Sequence, residues 1–525
     1  MEEGGSVARR AGLTALGTLA SRVLGMVRES VVAASFTVAQ TDAFFIAFTI
    51  PNTLRMLLGE GAVSNAFVPV FSDVRTREGD PAAKRFFARF SGTLGTLLLV
   101  ASVLGVVFAP ALSTLYAGGF LRDPERFELV VSLTRVLFPF LALAGLAALA
   151  TGALQVRGRF GVPAFAPALL NVAMIASPFL FLSLTERLGL PSILALAFGA
   201  IVGGMAMWLV QLKSLARLDL LPRPRLGFFD PEVRRALSLM APLVLGLGIY
   251  QINMLLSRLF ASFMPEGSQS YLSYGQRVIE IPQGMFALAL ASATLPTLSR
   301  LRSEGKTDEL LALFRYSLRL TLFIAIPASA LLIGLAEPVA AVLFGRGAFT
   351  SVHIVETGKS LVFQACGVWA VAGVRAVVPM FSAHQDTKTP VKASALNLVV
   401  FLATTTLLMG ALSHVAIALA NSLAAAVQLA VLLYALRAKL GALGLGEVVK
   451  SVLRTTLASV AMAAVCVTLS GHVSFRDAGE LVRVSSLLGI MLVGGLTFLV
   501  GARMLKAPEL DELLDAVRRR RKRAT

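Results

Sequence analysis

Residues 11–36 read AGLTALGTLASRVLGMVRESVVAASF. Apart from Arg22, Arg28 and Glu29, this stretch is apolar or small, and it is long enough to cross a bilayer as a helix, which takes about 20 residues. A second hydrophobic segment follows at once and carries Asp42 and Arg55. An arginine at the centre of a membrane helix costs about 2.5–3.5 kcal/mol on insertion scales. Three of them in adjacent segments need partners or a water-filled cavity, so they mark a functional site. Their sign predicts an anionic ligand.

Outward from this stretch, the same texture continues along all 525 residues. The chain is 56% hydrophobic and 15% charged, where a soluble protein carries roughly a quarter charged residues. Apolar stretches recur throughout, which predicts an all-α polytopic membrane protein. The ten-residue alternation of a membrane β-barrel is not seen. Fourteen spans are expected, near 11–36, 41–71, 86–116, 129–155, 164–184, 192–215, 234–263, 270–298, 311–334, 353–382, 390–411, 414–437, 449–470 and 481–504. Arg9 and Arg10 precede the first apolar run as in a signal peptide. Arg22 and Arg28 interrupt that run, however, and further spans follow, so it reads as a first transmembrane helix.

The net charge of +18 is set by cations in alternate short loops. Arg75, Arg77, Lys84 and Arg85 follow span two, and Arg157 and Arg159 follow span four. Lys213, Arg217, Arg223, Arg225, Arg234 and Arg235 surround the connection after span six. Arg300, Arg302, Lys306, Arg315 and Arg319 follow span eight, and Lys388 and Lys392 follow span ten. This is the positive-inside pattern. It places both termini in the cytoplasm and argues against nucleic acid as the partner. The bilayer itself is a partner, and the basic tail at 518–523 suits anionic cytoplasmic lipid or a stop-transfer signal. Cys366 and Cys466 lie in apolar segments and build no disulfide framework. His353, His384, His414 and His472 form no ligand motif, so no metal or other cofactor is expected.

The chain also repeats itself. Phe-Val-Pro-Val-Phe-Ser at 67–72 parallels Thr-Leu-Pro-Thr-Leu-Ser at 294–299, and Pro163 and Asn171 parallel Pro390 and Asn397. The offset stays near 226–231, which implies two parallel six-span units, an N-lobe at 1–217 and a C-lobe at 218–440. Two extra helices at 441–505 and the tail at 506–525 lie outside the repeat. Asp230-Pro231 and Thr389-Pro390 read as an N-cap followed by proline, where spans seven and eleven start.

Helix geometry sorts the charges by depth. At 1.5 Å per residue, Arg28 lies about 12 Å below the outer edge, and Arg22 and Arg55 about 21 Å. Arg277 lies about 10 Å down span eight, with Glu280 one turn on and able to hold it. Two tiers are expected, Arg28 with Arg277 above and Arg22 with Arg55 below, and Gly25 makes a bend between Arg22 and Arg28 cheap. Guanidinium forks suit phosphate, and several together suit a diphosphate. Glu29, Asp42, Glu60 and Glu280 are the expected charge network or gate, and internal pairing with them competes with ligand binding. Arg135, Arg258 and Arg375 are expected to snorkel or to pair structurally. At an offset of 227, Arg22, Arg28 and Glu29 align with Ile249, Leu255 and Leu256, so the scaffold itself does not require these charges.

The motifs Ser21-Arg-Val-Leu-Gly-Met-Val-Arg-Glu29, Thr41-Asp-Ala-Phe-Phe45, Pro51-Asn-Thr-Leu-Arg55, Glu60-Gly-Ala-Val-Ser-Asn-Ala-Phe-Val-Pro69 and Pro163-Ala-Phe-Ala-Pro-Ala-Leu-Leu-Asn171 closely resemble the MurJ/MviN lipid II flippases. Gln385-Asp-Thr-Lys-Thr-Pro-Val-Lys392 adds a match in the second half, and the similarity covers nearly the whole chain. The resemblance places the chain in the multidrug/oligosaccharidyl-lipid/polysaccharide exporter superfamily. It implies two six-helix lobes around a central cationic cavity, with the last two helices forming a groove for the lipid tail. It also implies transfer of lipid II, the undecaprenyl-diphosphate-linked disaccharide-pentapeptide, across the bacterial inner membrane for peptidoglycan synthesis. By motif position Arg22, Arg28, Asp42, Arg55 and Arg277 match residues the family uses in its cavity. Glu29 stands where many members have Asp, which keeps the charge on a longer arm.

The expected function is therefore an alternating-access lipid II flippase rather than an enzyme. Two alternatives stay open. An exporter of another polyprenyl-linked glycan differs only in cargo, and only the motif match favours lipid II. A membrane enzyme on lipid-linked sugars needs an acid–base pair, a nucleophile or a metal site, and none is apparent. Membrane potential is the candidate for resetting an empty cationic cavity. A coupling ion is not assignable from the sequence: spans seven, eleven and twelve contain no Asp or Glu, so a carboxylate sodium site there is unsupported. Contacts with cell-wall synthesis proteins stay open.

Overall fold

The computed structural model describes residues 2–57, 63–221, 224–283, 288–513 and 515. Glu60, Arg223 and the basic run at 518–523 lie outside the described residues, as does the side chain of Ile249. Among the described residues every regular element is helical. The chain divides into two compact units, Met1–Gln269 with Arg346–Ala348, and Ser270–Gly345 with Phe349–Thr525.

The first unit contains α1 (Glu2–Ser35), α2 (Val38–Arg55), α3 (Val68–Glu78), α4 (Asp80–Val107), α5 (Ala109–Ala117), α6 (Pro124–Leu137), α7 (Pro139–Val156), α8 (Gly161–Arg187), α9 (Leu194–Ala216) and α10 (Pro231–Ser262). From α11 (Ser268–Pro282) onward the second unit contains α12 (Leu288–Ser303), α13 (Thr307–Gly334), α14 (Ala336–Phe344), α15 (Ser351–Ala365), α16 (Val368–Ala383), α17 (Lys388–Leu412), α18 (His414–Leu440), α19 (Gly446–Ser470) and α20 (Glu480–Met504). Several expected single spans are broken helices. The segment expected at 41–71 stops being α-helical after Arg55 and passes through a π-helical turn, Val63–Phe67, before α3. Pro110 and Pro139 restart α5 and α7 in their first turns, where a missing N–H leaves no bond unmade.

The repeat is visible in the element starts. α4 and α13 begin at Asp80 and Thr307, α5 and α14 at Ala109 and Ala336, α6 and α15 at Pro124 and Ser351, and α8 and α17 at Gly161 and Lys388. Each pair is 227 residues apart, and α5 and α14 are both nine residues long.

Ten helical stretches among the described residues are long and apolar enough to cross a membrane. The expected first, second, seventh and eighth spans are the four outside that set. They are the spans that hold Arg22, Arg28, Glu29, Asp42, Arg55, Arg258, Arg277 and Glu280. A helix that faces a polar space inside a bundle need not be apolar all round.

The first unit's core includes a cluster of rings, Phe67, Phe71, Phe86, Phe87 and Phe90, with Phe67 and Phe90 centroids 5.0 Å apart. The connection from α9 to α10 is laid across α4. Arg225 N–H donates to the Ala88 carbonyl at 3.0 Å, and Gly227 N–H donates to Thr93 Oγ1 at 2.9 Å. Asp230 then caps α10, accepting from the N–H groups of Glu232 and Val233 at 3.0 and 3.2 Å, with Pro231 following as expected. Asp73 in the middle of α3 pairs with Arg235 of α10 at 2.7 Å. These ties explain why the first compact unit runs past residue 217, the expected lobe boundary, and takes in α10.

In the second unit the chain after α20 folds back. Ala507 and Leu510 are buried, and Glu509 is fully buried at 0% exposure. Arg319 of α13 pairs with Glu509 at 2.6 Å and with Glu512 at 2.5 Å, and Ser451 of α19 donates to Glu509 at 2.8 Å. Removing one member of a buried ion pair costs about 3–5 kcal/mol, because the other charge is left uncompensated. Arg319 keeps Glu512, so Glu509→Ala is expected to cost less than that, about 1–3 kcal/mol in equilibrium unfolding of the purified chain. An unchanged unfolding midpoint would show that the clasp contributes nothing.

Thr389 does not cap the expected eleventh span. Thr387 holds the N-cap position without a side-chain bond, and Asp386 just before it accepts from Thr389 N–H at 3.0 Å and Thr389 Oγ1 at 2.8 Å, while Lys439 of α18 pairs with it at 2.6 Å. The helix starts at Lys388, so Thr389 and Pro390 both fall inside its first turn. The Lys439 ammonium, followed by the Thr389 N–H, holds the Asp386 carboxyl well below the usual aspartate range. A carboxyl lowered in the folded state gives stability that is present above its unfolded value, about 3.9, and fades as pH falls through the folded value. Asp386→Asn is expected to lower the unfolding temperature by a few degrees at pH 7 and by clearly less near pH 2, where part of the carboxylate's contribution has already faded. An equal loss at both pH values would assign the effect to the cap's shape rather than its charge.

Candidate anion-binding site

α1 and α8 meet closely. At Gly17 a Cβ would come within 2.3 Å of the Ala164 carbonyl oxygen, so only glycine lets α1 approach α8 here. The contact continues along α1, which runs unbroken through Gly25 where a bend was thought cheap. Ser21 and Arg28, seven residues apart, share a face two turns long. Both meet Asn171 of α8. Arg28 Nη1 donates to Asn171 Oδ1 at 3.1 Å, and Asn171 Nδ2 donates to the Ser21 carbonyl at 3.0 Å and to Ser21 Oγ at 3.3 Å. Met174 Sδ lies 3.8 Å from the same Arg28 nitrogen. Arg28 Nη2 makes a short ion pair with Glu29 Oε1. Glu29 is 5% exposed, and its second oxygen is buried without a hydrogen-bond partner.

Arg28 is thus held on two sides inside the first unit, by a charge and by a neutral amide. Arg22 is half-buried on the same helix. Arg55 ends α2, half-buried, with Nε donating to Asn52 Oδ1 at 2.9 Å one turn back. Glu60, expected to join these charges, lies outside the described residues.

Asp42 has different company. It is 1% exposed, pairs with Arg126 Nη2 at 3.2 Å, and accepts the Gly267 N–H at 2.7 Å. Gly267 sits at φ +90°, a backbone conformation that favours glycine. Arg126 also lies over the Phe120 ring, 4.1 Å from its centroid. Asp42 therefore ties α2 to the first turn of α6 and to the turn that follows α10. Arg258 makes a reciprocal pair with Gln269, donating to its Oε1 at 3.0 Å and receiving its Nε2 at the backbone carbonyl at 2.5 Å. Arg135 is exposed on α6.

In the second unit, Arg277 Nη1 donates to Glu280 Oε2 at 2.7 Å, the one-turn pairing that their spacing predicts. The two side chains are 25% and 47% exposed, on the open face of α11. The other face is packed: Tyr274 is fully buried against Phe344, and Tyr271 Oη meets His353 Nδ1 at 2.9 Å. Arg375 donates to the Gln283 carbonyl at 3.2 Å, a structural pairing.

Sequence reasoning missed two partners. Asn171 stood out only as a landmark of the repeat, although an amide inside an apolar helix is itself a signal. Arg126, near the start of α6 among Asp123, Glu125 and Glu128, carries no sign in the sequence of a partner on α2. Among the described residues, no group of three or more His, Cys, Asp or Glu is placed to hold a metal ion. The arginine side chains offer N–H donors and positive charge, the chemistry that suits an anion.

Apolar spanning helices, an internal repeat and intramembrane arginines define a polytopic transporter. The family model of lipid II flippase MurJ matches residues 32–486, a stretch that includes Asp42, Arg55 and Arg277 and begins just after Arg28. The chain belongs to the MurJ family, and so is a transporter rather than an enzyme. It is 36% identical over 389 residues to the lipid II flippase MurJ of Burkholderia cenocepacia, covering 73% of this chain and 75% of that protein. It is 35% identical over 423 residues to a probable lipid II flippase MurJ of Vibrio cholerae, covering 79% and 80%. A solved structure of lipid II flippase MurJ in an inward closed conformation superposes with a TM-score of 0.77 at 25% identity, covering 94% of this chain and 98% of that one. An inward-facing multidrug resistance MATE transporter of the MOP superfamily shares the fold, with a TM-score of 0.63 at 13% identity, covering 81% and 96%. The ten apolar helices and the family membership make this a multi-pass protein of the inner membrane.

Proposed function

We propose that this chain is a lipid II flippase, moving the undecaprenyl-diphosphate-linked peptidoglycan precursor from the cytoplasmic to the outer leaflet by alternating access. The family match over residues 32–486 carries this reading. Arg22, Arg28, Arg55 and Arg277 contact the diphosphate, and Glu29, Asp42, Glu60 and Glu280 form the accompanying charge network. The four charge-bearing spans cross the membrane with the ten apolar ones, giving fourteen, with both termini in the cytoplasm as the loop cations indicate. The lobes are residues 1–217 and 218–440. Residues 441–505 hold the lipid tail, and the basic run at 518–523 rests on anionic lipid. Membrane potential returns the empty cationic site, at about 2.3 kcal/mol per charge per 100 mV. A ligand drives such a cycle only through different affinity for its two states.

The test is transport by the purified chain in liposomes loaded with labelled lipid II. Label is expected to reach an impermeant outer-leaflet reagent at least tenfold faster than in protein-free vesicles. Equal rates would overturn the reading. Faster movement of a different polyprenyl-linked glycan than of lipid II would move the function to the alternative cargo.

A further inference from the structure

We propose that Asn171 is a positioning residue for Arg28, presenting its guanidinium to the diphosphate of the substrate; this rests on the flippase reading above. Asn171 is 5% exposed and lies 143 residues from Arg28; from the same helix, among the described residues, only the weak thioether acceptor of Met174, 3.8 Å from the same nitrogen, joins it. Its amide can sit only one way round. Nδ2 faces two acceptors, the Ser21 carbonyl and Ser21 Oγ, which turns Oδ1 toward the Arg28 Nη1 donor. The asparagine is thus anchored to the backbone of α1 and in turn fixes the end of a long side chain rooted in the same helix.

The neutrality of this partner matters. Glu29 already pairs with Nη2, and a second carboxylate in place of Asn171 would cancel the cation that an anionic substrate must find. An amide holds the rotamer and leaves the charge. The two oxygen acceptors engage one donor on each terminal nitrogen, and a guanidinium carries five N–H groups, so donors remain for phosphate oxygens. The ordering of Arg28 takes place on folding, which lowers the entropy lost when the headgroup binds.

The experiment measures undecaprenyl diphosphate binding by the purified full chain and by Asn171→Ala, Asn171→Asp, Arg28→Ala and the Asn171→Ala/Arg28→Ala double variant. Asn171→Ala is expected to weaken binding about tenfold, the size of one charge-assisted hydrogen bond. The double variant is expected to bind no more weakly than Arg28→Ala alone, because Asn171 acts only through Arg28. Asn171→Asp, which matches the native side chain in shape, is expected to bind more weakly than Asn171→Ala, because its carboxylate competes for Arg28. Additive losses in the double variant, or wild-type affinity in either single Asn171 variant, would overturn the positioning role alone. No binding of undecaprenyl diphosphate by the unmodified chain would overturn the flippase reading and this role with it.

Discussion

Arg28→Ala is expected to stop outer-leaflet delivery of lipid II and to destabilise the first unit, and adding Glu29→Gln is expected to restore the stability without the transport. The two effects have different origins. Glu29 is 5% exposed, and one of its oxygens already lacks a hydrogen-bond partner. Arg28 is the countercharge on the other oxygen. Deleting it strands a carboxylate in a poorly hydrated site, which costs about 3–5 kcal/mol. Glutamine at position 29 removes the stranded charge, so most of that loss disappears. Transport stays lost, because position 28 then presents no fork to the diphosphate.

Arg28→Lys separates charge from geometry. Lysine keeps a cation beside Glu29 but offers a single ammonium in place of the planar fork, and it cannot engage Asn171 and a phosphate in the same arrangement. It is expected to keep most of the stability and to lose about tenfold or more in transport rate, the equivalent of about 1.4 kcal/mol. Unfolding in detergent and label accessibility in liposomes measure the two quantities on the same preparations. Normal transport by both Arg28→Ala and Arg28→Lys would remove Arg28 from the substrate path. Full rescue by lysine would reduce it to a point charge.

The helices were readable because their signals are local. Hydrophobic length, the Asp230-Pro231 cap and the repeat offset near 227 all reappear in the element boundaries. What was not readable is set by contacts across the sequence. Thr389 looked like a cap, yet Asp386 is a stronger acceptor and gains an ammonium from Lys439, 53 residues away. The break between Arg55 and Val68 comes in a segment that composition alone presents as one span. The site divided along the same line. The charges themselves, and the local pair Arg277 with Glu280, follow from cost and spacing. Asn171 as the partner of Arg28 does not, because a neutral amide carries no charge signature and its helix pairs with α1 only through packing at places such as Gly17.

Asp42 is the second place where a large effect is expected, and the outcome decides between two roles. Its position among the first intramembrane charges made it a cavity or gate residue by sequence. Its surroundings instead make it a tether, 1% exposed, between Arg126 and the Gly267 N–H. Asp42→Ala breaks both links, strands the Arg126 charge and leaves a backbone donor unpaired, so a loss of about 3–5 kcal/mol in unfolding free energy is expected. Asp42→Asn keeps an oxygen for Gly267 and loses the charge that pairs with Arg126, so a smaller loss, about 1–3 kcal/mol, is expected. Hydrogen exchange should localise the difference: amides at 264–268 are expected to exchange faster in Asp42→Ala than in Asp42→Asn. The tether assignment fails if Asp42→Ala unfolds like the unmodified chain. A variant that is stable, yet no longer delivers lipid II, would return Asp42 to the gate that its place in the sequence suggested. The physical reason would then lie in states of the cycle in which Arg126 and Gly267 let it go.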